Sequence, residues 1–223
     1  ELKDTEVELP DLETIWKTNS TNLTPSNPVT LSWTNNQNIT FKINYTIDDE
    51  YMFSITQEIE NKGNSNIEVF PYRLIKRINT PDTINFFILH EGFISLINDE
   101  LLEKNYDDIA DDCNSSMPSK KEFCDNKAQG GWLGFTDKYW MSALIPDADQ
   151  SINVNYRYGN NGRDSYRAGY VGQIYKVSSG ESLEYGGKLF VGAKKLNVLS
   201  AYDEKLSIPR FTDAIDWGWF SFL

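Results

Sequence analysis

The strongest constraint on this chain is a hydrophobic period of two. Phe41, Ile43, Tyr45 and Ile47 alternate with Lys42, Asn44 and Thr46. An extended strand puts those two sets on opposite faces, one for a core and one for water. Asp48-Asp49 marks a turn, Tyr51, Phe53, Ile55 and Ile59 resume the alternation, and Asn61-Lys62-Gly63-Asn64 marks the next turn. Further strands are predicted over 67–78, 84–89, 93–97, 133–145, 152–158, 168–177 and 183–191. Asn160-Asn161-Gly162 and Ser179-Gly180 supply turns between the later ones. Many strands at short spacing without intervening helices mean an antiparallel sandwich or barrel, and the absence of a repeat period counts against a propeller.

The pattern changes after residue 192. Leu196, Leu199, Tyr202 and Leu206 recur at helical spacing behind Gly192, and Pro209 fits the first turn of a second helix that aligns Phe211, Ile215, Trp219 and Phe222. The expected organisation is therefore a β domain over 1–192 followed by a helical hairpin over 193–223. The chain begins at Glu1 without a basic and apolar leader. No apolar run reaches the roughly 18 residues needed to span a bilayer. Its other end stops inside Trp217-Gly218-Trp219-Phe220-Ser221-Phe222-Leu223. Free termini are usually polar and frayed. A domain cut from a longer protein and a docked terminal helix both account for this end.

Charge and chemistry narrow the function. The 223 residues carry 21 Lys+Arg and 33 Asp+Glu, a net charge of −12. That balance argues against nucleic acid as a partner and equally disfavours electrostatic attachment to anionic lipid. His90 is the only histidine, so no two-imidazole metal site exists and any Ser-His chemistry has one candidate base. His90 and Glu91 are adjacent, and on a strand they point to opposite faces. Asp107-Asp108 and Asp111-Asp112 lack the alternating ligands, Gly and closing Glu of a calcium loop and read as a solvated loop. Arg163-Asp164 reads as a surface ion pair. The matches to Asn-x-Ser/Thr at Asn19, Asn22, Asn38, Asn44 and Asn114 read as chance in an Asn-rich chain. No catalytic residue, metal or cofactor is expected.

Two features remain. Cys113 and Cys124 fall in a polar stretch, 98–129, at a spacing that matches no zinc or redox motif; they form a disulfide in an oxidising compartment and stay free thiols in the cytosol. Trp132, Tyr139 and Trp140 lie close in sequence. They are candidates for an aromatic groove that stacks on sugars or holds an extended peptide; a central core strand explains them as well. The aromatics at 217, 219, 220 and 222 spread around a helix. Such a spread suits a second apolar environment, such as a membrane–water interface.

Gly130-Gly-Trp-Leu-Gly-Phe-Thr-Asp-Lys-Tyr-Trp-Met-Ser-Ala-Leu-Ile-Pro146 and Lys188-Leu-Phe-Val-Gly-Ala-Lys-Lys195 resemble the periplasmic domain of the bacterial YidC membrane-protein insertases. So do Tyr202-Asp-Glu-Lys-Leu-Ser-Ile-Pro-Arg-Phe211 and Asp213-Ala-Ile-Asp-Trp-Gly-Trp-Phe-Ser-Phe-Leu223, while Thr80-Pro-Asp-Thr83 and Leu89-His-Glu-Gly92 look like the α-proteobacterial variant. The resemblance runs from about Leu9 to Leu223. It implies a twisted antiparallel β-supersandwich, galactose-mutarotase-like, with two C-terminal helices. It implies a place on the periplasmic side of the bacterial inner membrane; Cys113 and Cys124 are not part of the resemblance, and a disulfide between them is a local expectation for such an oxidising compartment. It also implies a non-catalytic, cofactor-free role in inserting and folding membrane proteins, with nascent membrane proteins and Sec translocon subunits as partners. In this family the working groove lies in a membrane core. Trp217, Gly218, Trp219, Phe220 and Phe222 match the start of the helix that lies on the inner-membrane surface. The rival readings are a carbohydrate- or peptide-binding module using Trp132–Trp140, and an aldose-epimerase-like enzyme on the same fold. The latter chemistry relies on several histidines where this chain has His90 alone.

Overall fold

The computed structural model describes residues 7–83, 90–116 and 121–215. In chain order come strands β1 (Lys17–Thr18), β2 (Val29–Thr34), β3 (Ile39–Ile47), β4 (Met52–Asn61), β5 (Ile67–Val69), β6 (Tyr72–Ile78), β7 (Gly92–Ile97) and β8 (Glu100–Lys104). Helix α1 (Tyr106–Asp112) and a 3-10 turn at Glu122–Cys124 precede β9 (Asp125–Gln129), β10 (Trp132–Thr136), β11 (Trp140–Ile145), β12 (Ser151–Asn160) and β13 (Asp164–Val171). β14 (Tyr175–Val177), β15 (Ser182–Tyr185), β16 (Lys188–Ala193), helix α2 (Leu196–Leu206) and a 3-10 turn at Phe211–Ala214 follow. The chain is mainly β with antiparallel sheets, as its periodicity predicts. It divides into two units, one of Glu1–Pro71 with Gln173–Leu189 and one of Tyr72–Gly172 with Phe190–Leu223.

In the first unit, β1, β2, β3 and β4 pair in sequence order and β15 adds to β4. The alternation of β3 is clear at its start and fades along the strand, where Ile43, Tyr45 and Ile47 are half-buried. Ile39 and Phe41 are buried among Ile67, Val69 and Val177, with Trp33, Ile59 and Leu183 packed against them. The opposite face of β3 sends Lys42 to Glu58 and Glu60 on β4. The Asp48 carboxylate accepts from the Glu50 and Met52 amides at 3.0 and 2.8 Å, which closes the predicted turn. Asn61 ends β4 fully buried. Its amide donates to the Ser65 and Val177 carbonyls, both at 2.9 Å, and its carbonyl oxygen accepts from Gly63 N–H.

In the second unit, the order β16-β11-β10-β7-β8 forms one layer and β6-β13-β12-β9 the other. Rings join the layers. Phe93 of β7 meets Tyr156 of β12 at 5.6 Å and Tyr166 of β13 at 6.1 Å. Helix α2 buries Val198, Leu199 and Tyr202, whereas Leu196 and Leu206 are 47% and 37% exposed. The predicted positions Leu199 and Tyr202 thus face the core with Val198, while the predicted end positions Leu196 and Leu206 do not.

Four predicted strands are broken where the backbone must turn, the 168–177 run among them, which divides between β13 and β14. The 67–78 run splits at Phe70-Pro71, and 183–191 splits at Gly186-Gly187. The 133–145 run is a β10–β11 hairpin whose Asp137 N–H donates to the Trp140 carbonyl at 2.8 Å. The polar stretch 98–129 is more ordered than its composition suggests. It holds β8, α1 and β9, and the four acidic residues lie on α1 or at its end instead of in a loop. Asn105 caps that helix by accepting from Asp108 N–H at 2.8 Å, which explains acids in its first turn. The 84–89 strand prediction lies outside the described residues.

Candidate functional site

Trp132, Tyr139 and Trp140 do not form a shared groove. Trp132 is fully buried, its indole N–H donates to the Pro209 carbonyl at 2.9 Å, and its ring meets Phe211 edge-on at 5.5 Å. Antiparallel pairing of β10 with β11 puts Trp132 at the far end of the hairpin from the turn. Trp132 is therefore a core residue that pins the segment after α2. Tyr139 and Trp140 are 63% and 61% exposed at the turn itself. There Lys138 sits over the Tyr139 ring at 4.9 Å, and Lys194 N–H donates to the Tyr139 carbonyl.

A strongly polar arrangement inside the second unit centres on Arg77. Its guanidinium donates to the Tyr106 hydroxyl at 2.9 Å and to the Asp137 carboxylate at 2.7 Å. Burial is the main cause pushing the Tyr106 phenol up to about 12. This network ties β6, α1 and the β10–β11 turn together and presents no nucleophile or activated base. His90 Nε2 lies 2.8 Å from the Phe93 carbonyl, so that nitrogen carries the proton and is occupied by backbone. Asp164 accepts from Tyr158, Asn160 and Thr80. Those bonds, that from Tyr158 foremost, lower its pKa; no Arg163–Asp164 ion pair forms among the described residues.

Cys113 and Cys124 are joined as a disulfide, with Cα atoms 5.5 Å apart and both residues fully buried. The bridge ties the end of α1 to the start of β9, and Tyr158 N–H and the Arg157 guanidinium hold its two carbonyls. Among the described residues no group of three or more His, Cys, Asp or Glu is placed to hold a metal. A shallow depression of about 300 Å³ in the first unit is lined by Thr18, Leu23, Val29, Leu31 and Tyr45. Trp217, Gly218, Trp219, Phe220 and Phe222 lie outside the described residues. No helix among the described residues is long and apolar enough to cross a membrane.

With no catalytic constellation in view, the comparison with known proteins decides the family. A family model described as the YidC periplasmic domain matches residues 2–223. The chain belongs to the YidC periplasmic domain family. It is 38% identical to the membrane protein insertase YidC of Methylobacterium radiotolerans and 36% identical to that of Rhizobium johnstonii, each over 217 residues. Each comparison covers 96% of this chain and 35% of the relative, so the chain spans about a third of the length of the curated relatives it matches. Among solved structures it resembles a galactose mutarotase related enzyme from Lactobacillus acidophilus. That likeness has a TM-score of 0.52 and 8% identity, and covers 80% of this chain and 71% of the other. It establishes a shared β-sandwich fold and nothing about chemistry.

The YidC-like Gly130–Pro146 motif now has a structural explanation. Gly131 has φ +86°, and a Cβ there would stand 2.3 Å from the Leu96 carbonyl. A Cβ on Gly134 would stand 1.8 Å from the Ser142 carbonyl. These glycines allow β10 to lie tightly between β7 and β11 with Trp132 aimed inward. The motif is a packing signature and marks no reactive site.

Proposed function

We propose that this chain is the periplasmic domain of a membrane-protein insertase, at the periplasmic face of a bacterial inner membrane. It acts as a non-catalytic docking platform for nascent membrane proteins and Sec translocon subunits. The segment 193–223 leads from the β domain at 1–192 to a helix on the membrane surface, which Trp217, Gly218, Trp219, Phe220 and Phe222 begin. The observation that carries this reading is the YidC periplasmic-domain match over residues 2–223.

The test uses the full-length parent protein. Trp217→Ala combined with Trp219→Ala should weaken attachment of the domain to the bilayer and slow insertion of a reporter membrane protein. Unchanged insertion together with unchanged domain orientation would overturn the anchoring role. Incubation with aldoses, followed by polarimetry, should show no mutarotation. Turnover abolished by His90→Ala would overturn the non-catalytic reading.

A further inference from the structure

The β6-β13-β12-β9 layer has two faces with different chemistry. Register assigns them. Tyr156 pairs with Ala168 and Tyr170 with Arg73, and these residues point into the core. The alternate residues point outward, among them Lys76 and Ile78 of β6, Arg167 of β13, Arg157 of β12, and Asp125 and Lys127 of β9. The outward set thus holds four cations, Lys76, Lys127, Arg157 and Arg167, and a single carboxylate, Asp125. In a chain where 33 acidic residues outnumber 21 basic ones, this face has the reverse balance.

The cations also form a row. Lys76 is the register partner of Arg167, and Arg167 is the register partner of Arg157. Arg157 has a structural task, donating to the Cys124 and Tyr156 carbonyls and pairing with Asp125; like charges directly opposite on neighbouring strands destabilise a sheet, and among the described residues no carboxylate pairs with Lys76 or Arg167. Arg157 is neutralised by an ion pair to Asp125, and the Arg167 guanidinium reaches the Ser115 hydroxyl at 3.4 Å. Beside the row, edge strand β6 presents Tyr72, Leu74 and Ile78, which are 59%, 45% and 47% exposed. Alternate residues of a strand share a face at roughly 7 Å spacing, so these three flank Lys76 along β6, at right angles to the cationic row and at its end.

We infer that the outward face of the β6-β13-β12-β9 sheet is a contact surface for an anionic phospholipid membrane. This deepens, and rests on, the proposed position of the domain beside a bilayer. Phosphate headgroups suit the Lys76–Arg167–Arg157 row, and the apolar Tyr72–Leu74–Ile78 line suits the boundary just beneath them. A small soluble anion would leave that apolar line without a partner.

The test is flotation of this chain with vesicles of phosphatidylcholine alone or with one part in three of phosphatidylglycerol. The chain should bind the anionic vesicles, release them as salt is raised, and ignore the neutral ones. Lys76→Gln with Arg167→Gln should weaken binding about thirty-fold, taking roughly 1 kcal/mol per basic residue. Lys17→Gln with Lys205→Gln makes the same change in net charge elsewhere and should leave binding unaltered. Equal loss in both pairs, or loss with Tyr139→Ser and Trp140→Ser but not with the first pair, would overturn the surface assignment. So would equal binding to neutral vesicles, or displacement by poly-glutamate at lower charge concentration than by lipid, which would point to an acidic polypeptide. If the chain ignores anionic vesicles while reporter insertion still requires the domain, this inference fails and the proposed function stands. The converse pair of results separates them the other way.

Discussion

The two units reach burial by different routes. In the unit built on β1–β5, the buried cluster is a small, mainly aliphatic set of Ile39, Phe41, Ile67, Val69 and Val177, and a buried Asn61 laces the chain ends of β4 and β14 through hydrogen bonds. In the unit built on β6–β13 the largest fully buried side chains include Trp132, Tyr156, Tyr170, Phe93, Phe190 and Phe211. Aromatic rings fill space between two layers with few residues and wide contact. A thin core depends more on satisfied polar groups, since an orphaned buried carbonyl costs about as much as a lost methyl-sized contact or more. The comparison teaches that a single chain can use ring packing in one place and hydrogen-bond lacing in another.

The largest expected effect falls on the ring-packed unit. Trp132→Ala should cost about 3–5 kcal/mol in urea unfolding, because it opens a cavity and orphans the Pro209 carbonyl; a cost below about 1 kcal/mol would break the comparison. Next comes the laced unit. Asn61→Ala removes the donors to Ser65 and Val177 and the acceptor for Gly63, and should cost about 2–3 kcal/mol. Replacing it with Leu should not restore that stability, since shape alone leaves the carbonyls unmet. Reducing Cys113–Cys124 should lower stability by about 2–3 kcal/mol, through a denatured state freed from an 11-residue closure.

Smaller effects separate the units by pH. Burial raises the Tyr106 and Tyr170 phenols to about 12 in the folded chain, from an ordinary 10.0. Between those values the unfolded chain loses protons that the folded chain keeps, so melting temperature should fall as pH rises from 10 toward 12. In the other unit, hydrogen bonds from Lys42 first and Lys62 second hold Glu60 near about 2 instead of 4.5. That stabilisation is present above 4.5 and is lost as pH falls toward 2. Glu60→Gln should flatten the acid limb of a melting curve series and leave the alkaline limb in place. Smallest of all, Trp140→Ala should change stability by less than about 0.5 kcal/mol, since the ring is largely in solvent. The two tryptophans of one hairpin would then differ about tenfold in effect.

Much of the fold was legible in the sequence because strand alternation is local. Lys42 and Phe41 declare their faces within one peptide unit, and Asp48 and Asn61 mark turns by side chains that bond their own neighbours. The strands β8 and β9 were not legible, since Asp125–Gln129 buries only Ala128 and becomes a strand by pairing with β12. The candidate site was read less well. Trp132 and Trp140 are alike in sequence, yet one is buried and the other exposed because the 133–145 run folds back at Asp137, with no glycine or proline to announce it. The disulfide needed compartment as well as spacing, and the structure supplies the 5.5 Å approach that permits it.

By itself the sequence determined the strand-rich class, the family and the scarcity of catalytic groups, because period, motif order and a single histidine are properties of the chain read in line. Only the tertiary structure decided which aromatics are core and which side chains stand together. Lys76 is far from Arg157 and Arg167 in sequence, and nothing local hints that it joins them in one row. Hydrogen-bond register across three strands brings them side by side, and register is a long-range outcome of which faces must be buried.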